Sequence, residues 1–244
     1  MKKRGVIYVG TSGWTYGAWK DSFYAGVPRH EWLAHYAHRF RAVEVNATFY
    51  HQLKQNTFVN WTKTTPPDFR FAIKGHRYLT HVLKLHVSRG VFSRQKRSLA
   101  PLGKRLAVVL WQLPSGLERD LPRLERFASI LDAWQKTRHA LEFRHRSWFD
   151  EPTAACLRQH RLAVCQSDAS DWPLWDAVTT DLVYVRLHGH RITYVSSYKD
   201  RELAHWAKQA RNWSSEGRDV HIYFDNTDAG NAPRDAQRLA AMLV

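Results

Sequence analysis

The sequence predicts an α/β protein, a single (β/α)8 barrel of the TIM type with parallel strands inside and helices outside. Short apolar runs alternate with stretches of helical periodicity about eight times, at a spacing near thirty residues, which is typical of parallel sheets. Several of the strand-like runs turn polar at their ends. No linker or low-complexity tract divides the 244 residues. We therefore expect one domain over residues 1–244.

The predicted strands are short apolar runs rich in β-branched and aromatic residues. They cover residues 6–10, 42–46, 69–74, 106–111, 139–143, 162–166, 181–187 and 220–224. An open, doubly wound sheet is the competing architecture. It would usually carry a glycine-rich phosphate loop after its first strand, and Gly10-Thr11-Ser12-Gly13 does not fit that GxGxxG pattern. The closed barrel is therefore favoured.

The predicted helices have apolar residues at helical spacing and recognisable ends. In the first, Trp32, Leu33 and Tyr36 fall on one face, and Pro66-Pro67 stops the second. Pro122 lies in the first turn of the fourth helix, where proline is tolerated. The helices are expected at residues 30–40, 56–65, 87–102, 121–136, 151–160, 201–213 and 231–243.

Composition limits the class of protein. No apolar run approaches the roughly 20 residues that span a bilayer, and the run after the basic start Met1–Arg4 is too short for a signal peptide. The two cysteines form neither a disulfide framework nor a metal-binding spacing. We expect a soluble, cytoplasmic protein with no membrane partner.

Positive charge is large and uneven. The formal net charge is +15, and no acidic residue lies between Asp68 and Glu118, a stretch that holds ten lysines and arginines. Such a face suits an anionic small molecule or a nucleic acid as partner. The alternative is a solvent-exposed face without a ligand, whose like charges keep the protein soluble.

Polar residues at the strand ends are the main functional signal. Glu142 and Arg144 lie two residues apart, so they share one face of the fifth strand. In a barrel all such ends meet on one rim, where the working site is built. The residues expected to converge there are Glu44, Asn46, Lys74, Gln112, Glu142, Arg144, Asp168, Arg186, His188, Asp225 and Asn226.

These motifs together resemble the YecE-like family, a group of unknown function with TIM-barrel architecture, related in shape to sugar isomerase and endonuclease IV barrels. The matching residues are Gly10–Trp14 with Trp19, Glu44–Asn46, Thr48–Tyr50, Lys74, Thr80-His81, Gln112–Pro114, Glu142–His145 with Trp148, Asp168, Tyr184–Gly189 and Phe224–Asn226. Ser115 stands where many members have a second proline, and Asp225 where asparagine is usual. The resemblance implies the architecture more than a reaction.

The favoured hypothesis is a cup that binds, and hydrolyses, a phosphate-containing substrate resembling a nucleotide or nucleic acid. Arg144 and Arg186 would grip the phosphate by forked hydrogen bonds and Lys74 would add a point charge. The residues with acid–base roles would be Glu44, Glu142, Asp168 and His188. The other binding residues would be Asn46, His81, Gln112 and Asn226, with Trp14, Trp19 and Trp148 stacking on a ring.

Four alternatives stay open. The chain could be a non-catalytic module that binds anions or nucleic acid. A divalent metal held by Glu44, Glu142, Asp168 and His188 would fit a sugar-type isomerase; no other cofactor is expected. Glu44 and Glu142 could also be the acid–base pair of a glycosidase. Finally, the charged residues could form an ion-pair network that only ties the rim together.

Overall fold

Eight parallel strands form the centre of the structure, a computed structural model that describes residues 3–244. The strands are β1 (Ile7–Thr11), β2 (Ala42–Val45), β3 (Arg70–Lys74), β4 (Leu106–Gln112), β5 (Arg138–Glu142), β6 (Leu162–Asp168), β7 (Leu182–Leu187) and β8 (Asp219–Phe224). Their order is β1-β8-β7-β6-β5-β4-β3-β2. Met1 and Lys2 of the basic start lie outside the described residues.

The ring is nearly closed. The two end strands of the sheet, β1 and β2, meet through one bridge in which Ser12 lies opposite Glu44. The Gly13 amide also donates to the Glu44 carbonyl at 2.7 Å. The predicted barrel of parallel strands is therefore confirmed.

The helices lie around the strands. They are α1 (Trp32–Arg39), α2 (Ala47–Tyr50), α3 (Gln55–Thr64), α4 (Arg89–Ser98), α5 (Leu121–Leu131), α6 (Glu151–Gln159), α7 (Asp200–Ser215) and α8 (Asn231–Met242). Side chains on the outer strand faces, such as Ile73, Leu141 and Leu187, pack with them in the main apolar core. No helix among residues 3–244 is long and apolar enough to cross a membrane.

Two predicted helices differ from the structure, and the predicted alternation is incomplete. The helix expected at 87–102 ends at Ser98 and is followed by a 3-10 segment, Ala100–Arg105, because Pro101 and Gly103 (φ +52°) interrupt it. The helix expected at 121–136 ends at Leu131, before a short 3-10 turn. The strand–helix alternation fails between β6 and β7, where residues 169–181 form a loop without a helix.

Two short elements after strand ends were not predicted. The four-residue helix α2 follows β2 directly, and a π-helical turn, Tyr78–Val82, follows β3. Single π turns occur often at functional sites. Both elements bring side chains over the carboxyl end of the barrel.

Candidate functional site

Strand alternation separates the barrel interior into an apolar lower part and a polar upper part. Small or aromatic side chains fill the lower part: Ala42, Ala72, Ala140, Ala163, Tyr184 and Tyr223. Two positions further along the same strands, or four in β6, the inward-facing residues are charged or polar. We call this polar upper part the cup; its members are Ser12, Glu44, Asn46, Lys74, Gln112, Glu142, Arg144, Ser167, Arg186, His188 and Asp225.

Arg186 lies at the centre of the cup and is completely buried. Its Nε contacts both carboxylate oxygens of Glu44 at 3.0 Å, and Nη2 donates to Glu44 Oε1 and Asp225 Oδ2, each at 2.8 Å. Nη1 donates to Glu142 Oε2 at 2.9 Å and lies 3.2 Å from His188 Nε2. Each N–H of the guanidinium therefore has an acceptor within the protein. In this structure the Arg186 side chain has neither exposed surface nor a free donor with which to grip a phosphate.

Glu44 is held on three sides. Besides Arg186, Ser12 Oγ donates to Oε1 and the Tyr184 hydroxyl donates to Oε2, both at 2.6 Å. The phenol of Tyr184 is fully buried, and burial together with the Glu44 charge raises its pKa well above the ordinary value. Tyr184 therefore stays protonated and serves as a fixed donor to this carboxylate.

Glu142 connects the buried arginine to the mouth of the cup. Its Oε1 accepts from Arg144 Nε at 2.6 Å and lies 3.4 Å from Ser167 Oγ. Burial alone would raise the pKa of Glu142, but the charges of Arg144 and Arg186 outweigh it and hold this pKa well below its usual range. Glu142 is therefore an anion that carries no proton to donate, and it is a weak base.

His188 is buried between the guanidinium and a carboxylate. Since Arg186 Nη1 is a donor, His188 Nε2 must accept, which places the ring proton on Nδ1. Nδ1 lies 3.1 Å from Asp225 Oδ2, off the line of a straight hydrogen bond. Burial and the Arg186 charge lower the pKa of His188, so the ring is neutral and both its nitrogens face protein groups. This arrangement leaves no free lone pair for a catalytic base.

Lys74 is the cup residue whose charge has no carboxylate at ion-pair distance among residues 3–244. Its side chain is 7% exposed, and its ammonium lies 4.2 Å from the centre of the Phe49 ring of α2. Its Nζ forms neither a hydrogen bond nor an ion pair with any residue that the structure describes. Burial, followed by repulsion from Arg186, lowers the pKa of Lys74 to about 8.

His81 lies on the π-helical turn next to this lysine. Its ring packs edge-on against Phe49, with 5.0 Å between ring centres, and its Nδ1 lies 2.9 Å from Thr80 Oγ1. Burial and then the Lys74 charge lower the pKa of His81 to about 4. The predicted binding residue His81 is therefore neutral and lies beside Lys74.

Aromatic side chains that the sequence analysis missed cover the mouth. The Arg144 guanidinium lies 3.6 Å from the centre of the Trp172 ring, and Trp172 Nε1 donates to Ser167 Oγ at 2.9 Å. Tyr194, 42% exposed, packs near both Trp172 and His188. Both rings belong to loops without periodicity, after β6 and β7, so no sequence pattern could place them. Ser12 and Tyr184 were detectable in principle, since strand alternation points both inward.

Two predicted site residues face away from the cup. Asp168 follows the inward-facing Ser167, so it points outward, where it accepts from Tyr198 Oη at 2.9 Å and lies 3.0 Å from His190 Nδ1. Asn226 follows Asp225 in the same way and donates to Asp235 Oδ2 of α8 at 2.9 Å. In this structure neither side chain faces the cup: Asp168 holds the loop after β7, and Asn226 connects the end of β8 to α8.

The three predicted stacking tryptophans also lie elsewhere. Trp19 and Trp148 are 0% exposed, and their indole N–H groups donate to the carbonyls of Thr227 and Leu117. Trp14, 8% exposed, packs edge-on against Trp61 and borders a cleft of about 510 Å³ that Asn46 of the cup also lines. Trp19 and Trp148 have no exposed ring face for a ligand in this structure. Asn46 and Gln112 do face it, and both are half-buried.

The proposed metal ligands do not fit a metal ion. Glu44 and Glu142 are occupied by the same guanidinium, His188 lies between Arg186 and Asp225, and Asp168 points outward. Within residues 3–244 no group of three or more histidine, cysteine, aspartate or glutamate side chains is placed to hold a metal. The glycosidase alternative meets the same obstacle, because its two carboxylates are joined through Arg186.

The basic segment forms a separate surface. Arg77, Lys84, Arg89, Arg94, Arg97 and Lys104 are exposed. The nearest ion pairs along the chain join Arg41 to Asp68 and Arg119 to Asp150, outside this segment. A cleft of about 330 Å³ on this surface is bordered by His76, Tyr78 and Arg94. The positive charge between residues 70 and 105 is therefore not neutralised by neighbouring carboxylates.

Comparisons with known proteins agree with this architecture. A family model described as "Protein of unknown function DUF72" matches residues 8–244. The UPF0759 protein YunF of Bacillus subtilis is 25% identical over 270 residues, covering 98% of this chain and 95% of YunF. The UPF0759 protein YecE of Escherichia coli K12 is 28% identical over 145 residues, covering 59% of this chain and 50% of YecE.

A solved structure gives the same result over the whole fold. The crystal structure of a DUF72 family protein from Thermotoga maritima is 30% identical in sequence, with a TM-score of 0.84 over 98% of this chain and 99% of that one. The resemblance inferred from the strand-end motifs is thereby confirmed: this chain belongs to the DUF72 family of YecE-like proteins.

Proposed function

We propose that the cup binds an anionic small molecule, with a phosphate or carboxylate group seated between Lys74 and Arg144. The observation that carries this proposal is that Lys74, a residue only 7% exposed, has an ammonium without a hydrogen-bond or ion-pair partner among residues 3–244. Burying a charge without a partner costs several kcal/mol, roughly, so such a group is retained where a ligand supplies the missing partner. An anion is the partner that this ammonium lacks.

Arg144 is the second cation that a ligand can reach. Its side chain is 11% exposed, and only its Nε is taken by Glu142. The two terminal nitrogens keep donors for the forked contact that arginine makes with phosphate and carboxylate groups. Because the Trp172 ring supports the guanidinium plane, the fork is held in one orientation before a ligand arrives.

Uncharged polar atoms and aromatic rings complete the environment. The Oδ1 atom of Asn46 is buried without a hydrogen-bond partner in the described chain, although its Nδ2 lies 3.4 Å from Asp225. Phe49, Trp172 and Tyr194 supply apolar surface near the two cations. A phosphate ester with a sugar or base attached matches this combination of charge and rings.

Hydrolysis of such an ester would need a group that moves a proton. Glu142, Asp225 and His188 are all held by Arg186. Lys74 and His81 lie nearer the mouth, and the pKa of Lys74, at about 8, is close to neutrality. We therefore assign any proton transfer to this pair.

Removing the Arg144 guanidinium should weaken anion binding tenfold to a hundredfold. A charge-assisted hydrogen bond contributes about 1.5 to 3 kcal/mol, equivalent to about tenfold to a hundredfold in affinity. Arg144→Gln removes the charge and the forked contact but keeps an amide that can donate one hydrogen bond. Titration calorimetry with inorganic phosphate, ribose 5-phosphate and adenosine 5′-monophosphate measures the loss. Arg201→Gln, on the exposed start of α7, is the matched control and should bind like wild type. Absence of binding to all three probes, or equal affinity in the two variants, overturns the proposal.

A second candidate function, binding of nucleic acid, is favoured by the unneutralised basic surface between residues 70 and 105. This surface includes Arg77 and Tyr78, which follow β3 on the side of the mouth where Lys74 lies. A polyanion bound there could present a phosphate to the cup. The affinity of such a complex should fall steeply with added salt.

Charge reversal on α4 tests this candidate. The double variant Arg94→Glu/Arg97→Glu should reduce affinity for a short duplex DNA at least tenfold at low salt and flatten its salt dependence, since each lost phosphate contact lowers the salt slope by about one. The control is Arg201→Glu/Lys208→Glu on α7, which makes the same change in net charge at exposed positions. If both double variants lose affinity equally, net charge alone is responsible and the basic surface is not a binding site.

A further inference from the structure

Lys74 differs chemically from the other lysines of the chain that the structure describes. It points into the barrel from β3, its Nζ has no acceptor among residues 3–244, and an aromatic ring lies against it. An amine in this position is desolvated and close to a second cation, Arg186, and these two conditions favour its neutral, nucleophilic form. With a pKa of about 8, about a tenth of the Lys74 side chains are neutral at pH 7.

The surroundings of Lys74 provide what an amine needs to react with a carbonyl group. His81 is neutral and shares the Phe49 ring with Lys74, so it can pass a proton between the amine and a carbonyl oxygen. The charges of Glu142, Asp225 and Glu44 partly offset the effects of burial and of Arg186 on a cation at Lys74 Nζ, and they would do the same for a protonated imine. Arg144 supplies an anchor for an anionic group on the same molecule.

We propose that Lys74 forms a Schiff base with an aldehyde or ketone that carries an anionic group. The lone pair of Nζ attacks the carbonyl carbon, the C=O electron pair moves to oxygen, and the oxygen takes up the proton that the attacking nitrogen releases, which gives a neutral carbinolamine. A second proton allows water to leave, and a protonated C=N bond remains on Lys74. Carbonyl compound, neutral amine and one proton become iminium ion and one water, so no oxidant or reductant is required.

This inference rests on the proposed anion site and names the substrate class for it. The phosphate or carboxylate of the substrate would lie at Arg144, and its carbonyl carbon at Lys74. Proton abstraction next to the iminium, or cleavage of the neighbouring carbon–carbon bond, is the chemistry that such an adduct makes accessible.

Trapping with sodium cyanoborohydride tests the inference, because the reagent reduces an imine to a stable amine. We expect dihydroxyacetone phosphate to label the folded protein once, at the peptide containing Lys74, with a rate that rises from pH 6 to about 8 and then levels off. Dihydroxyacetone, which lacks the phosphate, should label this site at least tenfold more slowly. The variant Arg144→Gln should remove that difference.

Three variants decide the assignment. Lys74→Arg keeps a cation but forms no imine, and Lys74→Met guards against misfolding of the bulkier arginine; both should lose the label. Lys208→Arg, on the exposed face of α7, should keep it. Label spread over exposed lysines, or label kept in both Lys74 variants, overturns the inference. If the protein binds phosphate but Lys74 is never labelled, the Schiff-base inference is overturned and the anion site is not. If the protein neither binds phosphate nor is labelled at Lys74, both the inference and the anion site are overturned.

Discussion

Replacing Arg186 with methionine is expected to destabilise the protein by about 3 to 5 kcal/mol, the cost of removing one partner from a buried ion pair. The side chain holds Glu44, Glu142 and Asp225 together at 2.8 to 3.0 Å, and it has no exposed surface. Without it, three carboxylates share one water-poor space and repel one another. Urea denaturation followed by circular dichroism measures the loss.

Arg138 provides the matched control for this prediction. It also pairs with two carboxylates, Asp181 at 2.6 Å and Asp219 at 2.9 Å, but its side chain is 31% exposed. Ion pairs of this kind contribute about 1 kcal/mol or less, so Arg138→Met should have a small effect. Adding Glu44→Gln to Arg186→Met should recover part of the lost stability, because one of the repelling charges disappears. Equal losses at Arg186 and Arg138 would contradict the central role of Arg186.

Replacing Lys74 with methionine should change the free energy of unfolding in the opposite direction from Arg186→Met. We expect it to stabilise the protein by about 1 to 3 kcal/mol at pH 7 and to abolish anion binding. Methionine has a similar volume but carries no charge that must be taken out of water. The pKa of Lys74 falls from 10.5 to about 8 in the folded protein, so the folded chain holds this proton less tightly than the unfolded chain. Thermal and urea denaturation, with phosphate titration, measure the two effects.

The pH dependence follows from the same shift. Between pH 8 and 10.5 the unfolded chain binds more protons at this position than the folded one, so wild-type stability rises with pH. The advantage of Lys74→Met is therefore complete below pH 8 and disappears as the pH approaches 10.5. Lys208→Met, at an exposed position, should stay within about 0.5 kcal/mol of wild type. A destabilised Lys74→Met variant would show that the lysine is part of the structural ion-pair network instead.

The contrast between these two buried cations shows what the sequence could not predict. The sequence indicated which charged residues share the cup, but not which of them form ion pairs with each other. Strand alternation alone indicated that Glu142 and Arg144 share a face, and the structure places both on the cup. Periodicity does not say which cation pairs with which carboxylate, since that depends on distances between strands far apart in the chain. Arg186 and Lys74 therefore looked equivalent in the sequence, although one is fully paired and the other is not.

Other failures have equally specific causes. Asp168 and Asn226 come one residue after inward-facing positions, so a strict count of alternation would have placed them outside. Trp19 and Trp148 lie in loops, where no period distinguishes a ring that fills a core from one that faces a ligand. Trp172 was missed because residues 169–181 form a loop without a periodic pattern that would place its ring.

The bridge between Ser12 and Glu44 connects the closure of the barrel to the charged residues of the cup. The two end strands meet there through a single bridge, and Glu44 accepts two hydrogen bonds across it. Its main-chain carbonyl accepts from the Gly13 amide and its carboxylate accepts from Ser12 Oγ. The same carboxylate is a counter-ion of Arg186, so the joint and the charge cluster cannot loosen independently. A substitution of Glu44 would therefore change both the contact between β1 and β2 and the charge balance around Arg186.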